Sequence, residues 1–323
     1  MAGTVTHYFF ANDVMNKLKE EKEINFDSSY LAIFAQSMDS FNFFDIYFPL
    51  KKESKKKRDF AGFFHHNKCD VFFDSLLKNI KDYGLEKNII VMTFVYGLIT
   101  HYVLDSTIHP YVEYNCGIFD KKRKETYKYN AKHHEMETFL DIYMLNKKGF
   151  DNKKHKIYKD IFKIKKFSIE LKAIMNKTFL EVFNYKNFSK DYLKSINDMR
   201  LAFKYLRYDP YNYKILCYKF FDIISPKTIL NSKFLSYSYN YKNTDYYLNN
   251  SNKSWLYPYD TTKKYSFSFD ELYNIAIEKC YNLIYDVTLY FEKNKPIDMS
   301  KFNLSYSTGL NWKRKNKYPK FKF

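Results

Sequence analysis

A chain of 323 residues with 46% apolar side chains can bury a substantial core, as one large domain or two ordinary ones. Seven Gly and seven Pro are too few for a many-turned β sandwich or for long flexible linkers. The net charge of +18 favours anionic surfaces and phosphates in general; because it comes almost wholly from Lys, beside 33 Tyr and 32 Phe, it also fits an AT-rich coding bias and selects no single partner.

Apolar residues recur at three- and four-residue spacing from the start, which predicts helices at about 6–19 and 28–38. His7 opens the first helix, and Asp39 falls where the second should end. The basic stretch "KKESKKKR" (51–58) is read as a loop; His65 and His66 follow it, ahead of a helix at about 70–82. The segment 88–108 is apolar on every face, so it should be a buried helix. Its apolar run Ile89–Leu104 falls short of the ~20 residues that cross a bilayer. Pro110 should end this helix by disfavouring helical torsions at His109.

Further helices are expected at about 131–146, 157–182, 191–206 and 268–292. A second basic loop, "KKRK" (121–124), precedes the first of these. Residues 232–265 read as a long irregular loop, and 294–323 as a solvated basic tail on a single helical domain, 1–293. Cys69, Cys116, Cys217 and Cys280 form no CxxC pair, and "MAGTVTHYFF" has no secretory pattern, so reduced thiols and a cytoplasmic location are expected.

The buried helix carries polar groups that need an explanation. His101 and Asp105 are four residues apart, hence neighbours, and His109 continues the row. A buried carboxylate costs several kcal/mol unless paired or bound to a cation. In "AKHHEMETFLDIYML", His133 and Glu137 share the inward stripe of Met136, Leu140 and Met144. His134 lines up instead with Thr138 and Asp141 on the polar side. Two such pairs, His and carboxylate without cysteine, suit a catalytic divalent ion such as zinc, although a hydrogen-bonded His–Asp core pair is the simpler reading of either one.

The segments "THYFFANDV", "FAQSMDSFNFF", "FFHHNKCDVFF", "GLITHYVLDSTIHPYV" and "KHHEMETFLD", in that order, resemble the bacterial zinc-dependent phospholipase C family, most closely its phospholipase C-like branch. The resemblance covers residues 1–146 and implies an all-α, multi-helix bundle. It implies one metal held by Asp39, His65 (or its neighbour His66), His101 and Asp105, and a second by His109, His133 and Glu137. A third position would lie between His7 and Asp105, but the family's mature amino-terminal Trp is missing, so two zinc ions are expected rather than three. Ser37-Met38 also replaces the family's Gly-Pro, and the spacing from Asp105 to His109 is shorter than in the secreted phospholipases. The implied activity is phosphoester hydrolysis by a metal-activated water, oriented or deprotonated by Asp39. The substrate would be a phosphate ester, such as a phospholipid, with the two basic stretches facing it or an anionic membrane. A single-strand zinc nuclease and a non-catalytic, metal-stabilised helical protein that binds a partner or membrane are the competing readings; no pattern addresses oligomeric state.

Overall fold

The computed structural model describes residues 3–47, 51–120, 123–151, 156–163, 166–206, 213, 216, 237 and 244–314. Cys217, the first two residues of the 121–124 stretch, most of the 232–243 part of the expected irregular loop and the final 315–323 lie outside them. The architecture is all-α, as expected, with a single two-stranded ribbon among the described residues.

In chain order the helices are α1 (Thr4–Lys22), α2 (Ser28–Phe34), α3 (Lys52–His66), α4 (Cys69–Asp82), α5 (Ile89–Cys116), α6 (Tyr127–Lys147), α7 (Tyr158–Ile161), α8 (Ile169–Phe183) and α9 (Phe188–Leu206). They are followed by α10 (Thr244–Leu248), the ribbon β1 (Trp255–Leu256) and β2 (Lys264–Tyr265), and α11 (Phe269–Lys293). The ribbon is antiparallel, with Trp255 opposite Tyr265.

α5 is the axis of the molecule and touches α1, α2, α6, α8 and α11. Asn88 caps its start by accepting from the amides of Ile90 and Val91. At Gly97 the α2 backbone comes so close that a side chain there would collide with Phe34, which lets the two helices cross tightly. The amphipathic helices close around it. α4 buries the stripe Phe72, Phe73, Leu76, Leu77 and Ile80, and α11 starts from a capping box between Ser268 and Glu271.

Several expectations are corrected. α5 does not stop at Pro110; it runs six residues further to Cys116. Proline cannot donate to the Ser106 carbonyl one turn back. The backbone of Gly309 packs against that carbonyl, so closely that any side chain at 309 would strike it. At 28 residues α5 is therefore long and apolar enough to span a membrane, yet 83% of its most apolar stretch is buried inside this fold, as a core helix is.

The expected helix at 157–182 is two helices, because Ser168 takes an extended conformation and caps a new start by accepting from the Leu171 amide. The helix at 28–38 ends at Phe34 and gives way to a 3₁₀ turn, Ser37–Phe43. The stretch 51–58 is no loop but the first half of α3, and the described part of 232–265 contains α10 and the ribbon. The tail is not a solvated extension where it is described. Residues 299–313 form a strap over α4 and α5, with the Leu304 amide donating to the Tyr102 hydroxyl and Trp312 Nε1 donating to Asp70. Cys69, Cys116 and Cys280 are buried free thiols.

Candidate metal centre

The helical period turns the row His101–Asp105–His109 toward α1, α6 and the 3₁₀ turn, and all three side chains are buried. The 3₁₀ turn delivers Asp39. Its geometry depends on Ser37, which adopts a left-handed backbone (φ 44°) at the position where the resemblance has glycine, so the turn survives the substitution at a cost of about 1 kcal/mol. An aromatic wall including Phe41, Phe60, Phe179 and Phe188 backs this turn from α3, α8 and α9.

Five of the sequence-derived residues meet here. His7 Nε2 lies 3.3 Å from Asp105 Oδ1, and His101 Nε2 lies 3.2 Å from Asp105 Oδ2, so one carboxylate spans two imidazoles. Asp39 faces His65 Nε2 at 3.5 Å and His101 Nε2 at 3.8 Å. Potential donor atoms of His7, Asp39, His101 and Asp105 lie within 4.8 Å of one another. His7 thus belongs to the tightest group rather than standing apart, its ring stacked 4.0 Å from that of His101. His65 faces the group, whereas His66 turns its Nδ1 toward the Ser305 hydroxyl.

His109, His133 and Glu137 form an adjoining group. The rings of His109 and His133 are 5.0 Å apart, and His133 Nε2 is 3.1 Å from Glu137 Oε1. His134 also reaches Glu137, at 3.1 Å, from a more exposed position. The expectation that Thr138 and Asp141 lie on a polar face is wrong: both are buried. Asp141 accepts from the amides of Val5 and Thr6, the Thr6 hydroxyl and the Tyr237 hydroxyl, so it caps the turn of α1 that carries His7.

The electrostatics follow from burial. It pulls His7 down to about 4, helped by His101, and holds His65 and His109 well below the usual imidazole range. These rings are therefore neutral, with lone pairs to offer. Burial drives Asp39 up to about 8; His101 opposes the rise and Asp105 adds to it. Burial would also raise Asp105, but His101 and His7 overcome it and hold the carboxyl well below its ordinary range. Nδ1 and Nε2 of His7, Oδ1 of Asp39 and Nε2 of His65 and His101 are buried without a hydrogen bond of acceptable geometry. Leaving so many polar atoms unmatched costs several kcal/mol unless something else binds them.

The back sides of two rings are matched. His101 Nδ1 donates to the Ala35 carbonyl at 2.8 Å, and His109 Nδ1 donates to the Ser307 carbonyl. That arrangement fixes the ring orientation and turns Nε2 toward the centre, the usual support of a metal-binding imidazole; at His101, where burial is outweighed by Asp105 and Asp39, which raise the pKa, a cation would take the place of a proton. The donor set fits zinc: converging, buried imidazoles and carboxylates, with no thiol in the set among the described residues.

Three contributors escaped sequence reasoning. Glu113 continues the four-residue row one turn past His109 and is buried with Oε1 3.6 Å from His109 Nδ1, on the ring's back side. Burial pushes its carboxyl up to about 8. The spacing 101, 105, 109, 113 was the available signal, hidden by ending the helix at Pro110. Tyr306 and Ser307 belong to the strap, and nothing local in the sequence marks them. The Tyr306 amide donates to the His65 carbonyl, and its ring stacks on His65 at 4.9 Å.

The family model for zinc dependent phospholipase C matches residues 6–189, more than half of the chain, and includes every candidate ligand. No curated protein and no solved structure matches it significantly.

Proposed function

The chain is a member of the zinc-dependent phospholipase C family, and from that premise we propose that it hydrolyses phosphate esters at the His/Asp/Glu centre. The observation that carries this reading is the convergence of buried, hydrogen-bond-deficient imidazole and carboxylate atoms around Asp39 and Asp105. His7, Asp39, His65, His101 and Asp105 would hold zinc on one side, and His109, His133 and Glu137 on the other. Bound zinc supplies Lewis acidity for a phosphoryl oxygen and lowers the pKa of a water molecule.

The chain's own residues supply the rest. Asp39 is the most accessible of the first five at 8% exposure; ionised beside a bound cation, it orients the attacking water and accepts its proton. Ala35 and Ser307 carbonyls hold the imidazoles of His101 and His109 in register. The exposed lysines at the start of α3 (Lys52, Lys55 and Lys56, with Lys51 just before it) lead into the helix that carries His65, and would attract an anionic substrate or lipid surface.

The test is turnover by zinc-loaded protein of a chromogenic phosphodiester, phosphatidylcholine vesicles and single-stranded DNA, each compared with Asp39→Asn. Turnover of the first two is expected, reduced about 100-fold or more in the variant, whose zinc content is counted alongside. Cleavage of DNA alone would favour a nuclease. A zinc-replete protein inert to all three would leave the non-catalytic, metal-stabilised reading.

A further inference from the structure

On the other side of α5 from the His–Asp row lies a cavity of about 560 Å³, within the range of roughly 300–1,000 Å³ typical of small-ligand sites. Its wall includes Val103 and Thr107 of α5, Trp255 and Tyr265 of the ribbon, Leu283 of α11 and Leu310 of the strap. These are apolar or aromatic surfaces in the main, and none of the ligand candidates of the metal centre lines it.

The charged groups on the wall are all of one sign. Lys263, Lys279 and Lys301 line the cavity, and no Asp or Glu does so among the described residues. Lys301 is answered from outside by Asp286 at 2.6 Å, and Lys263 more loosely by Asp260 at 3.8 Å. Lys279 has no hydrogen-bond or ion-pair partner among the described residues. Its side chain keeps contact with water, yet the surrounding protein lowers its pKa, with no opposing charge to offset the loss of solvent. A water-accessible ammonium with no partner carboxylate, beside an apolar wall, is free to take an anionic head group.

We propose that this cavity binds a single-chain anionic amphiphile, its hydrocarbon chain against the Trp255–Tyr265–Leu283 wall and its anionic head at Lys279. The chemistry of the wall selects both halves of such a molecule. Apolar lining favours a hydrocarbon, and the uncompensated lysine rejects a cationic head and prefers an anionic one. The inference does not depend on the metal centre or on any hydrolytic activity. The cavity does share a wall with that centre, since Gly309 and Leu310 line the cavity while Ser307, two residues earlier, receives the bond from His109.

The chain contains two tryptophans, and only Trp255 lines the cavity, so its fluorescence reports occupancy. Full-length Trp312→Phe protein would be titrated with dibromostearate, kept below its micelle concentration, and in parallel with the methyl ester of the same acid. Saturable quenching by the acid is expected, with apparent affinity falling about tenfold or more both in Lys279→Glu and for the ester. Thr107→Phe, which narrows the cavity, should also weaken binding, while circular dichroism checks that the helices persist. Absence of saturable quenching would overturn the proposal. So would acid and ester binding equally well, or Lys279→Glu binding like its parent, because either removes the anionic recognition.

Discussion

His101 and His109 each donate Nδ1–H to a backbone carbonyl, one from the end of α2 and one from the carboxy-terminal strap. Rings held this way lose little freedom on binding a metal, whereas His7, with neither nitrogen hydrogen-bonded, is positioned by stacking and by its place in the first turns of α1. His133 is held differently again, through Glu137 on its own helix. Substituting it should therefore disturb one half of the centre only. His133→Ala is expected to lose about one zinc ion per chain, counted by inductively coupled plasma mass spectrometry, while the half around Asp105 stays loaded. Full retention of zinc would remove His133 from the ligand set.

At the scale of the elements, α6 does two things at once. Glu137 faces the metal centre, and Asp141, one turn later, caps the start of α1 through backbone and hydroxyl donors. Removing a charged cap with several donors leaves buried N–H groups unmatched, so Asp141→Ala should lower unfolding stability by about 2 kcal/mol in urea titrations. A loss indistinguishable from zero would mean that α1 is held by packing alone. The junction between the 3₁₀ turn, α3 and α9 is electrostatic. Bonds from Lys194 and from the Ser54 hydroxyl hold the Asp45 carboxyl below its usual range. A depressed carboxyl pKa stabilises the fold above its unfolded value of about 3.9 and loses that contribution as the pH falls through the lower folded value. Melting temperature should therefore decline below about pH 4, and Asp45→Asn should flatten that limb; an unchanged profile would show that other carboxylates govern it.

For the whole molecule, the decisive fact is that a 28-residue apolar helix is its axis and that the metal centre sits on one face of it. Polar atoms left without hydrogen bonds along that axis weaken the core unless a cation engages them. Zinc bound only by the folded state stabilises it by roughly 3–4 kcal/mol at 100 to 1,000 times its dissociation constant. Chelation should accordingly lower the melting temperature by several degrees, with recovery on adding zinc, followed by calorimetry. An unaltered melting curve, together with zinc-free protein by mass spectrometry, would reduce the four-residue rows to core hydrogen-bonding pairs.

The all-α class and the pairs His101–Asp105 and His133–Glu137 were legible in the sequence because both rest on the helical period, a local property that puts residues four apart on one face. The same locality set the limit. The helix α5 in fact continues past Pro110, where Gly309, some 200 residues further along the chain, packs against the Ser106 carbonyl, and with that continuation came Glu113. Asp141 looked like a surface residue until α1 brought its unsatisfied amides against it, and Tyr306 and Ser307 looked like tail until the strap folded over His65 and His109. Periodicity determined which side chains could face inward together; only tertiary packing decided which buried donors and acceptors would meet, because backbone groups from distant segments satisfy the polar atoms that local pattern leaves open.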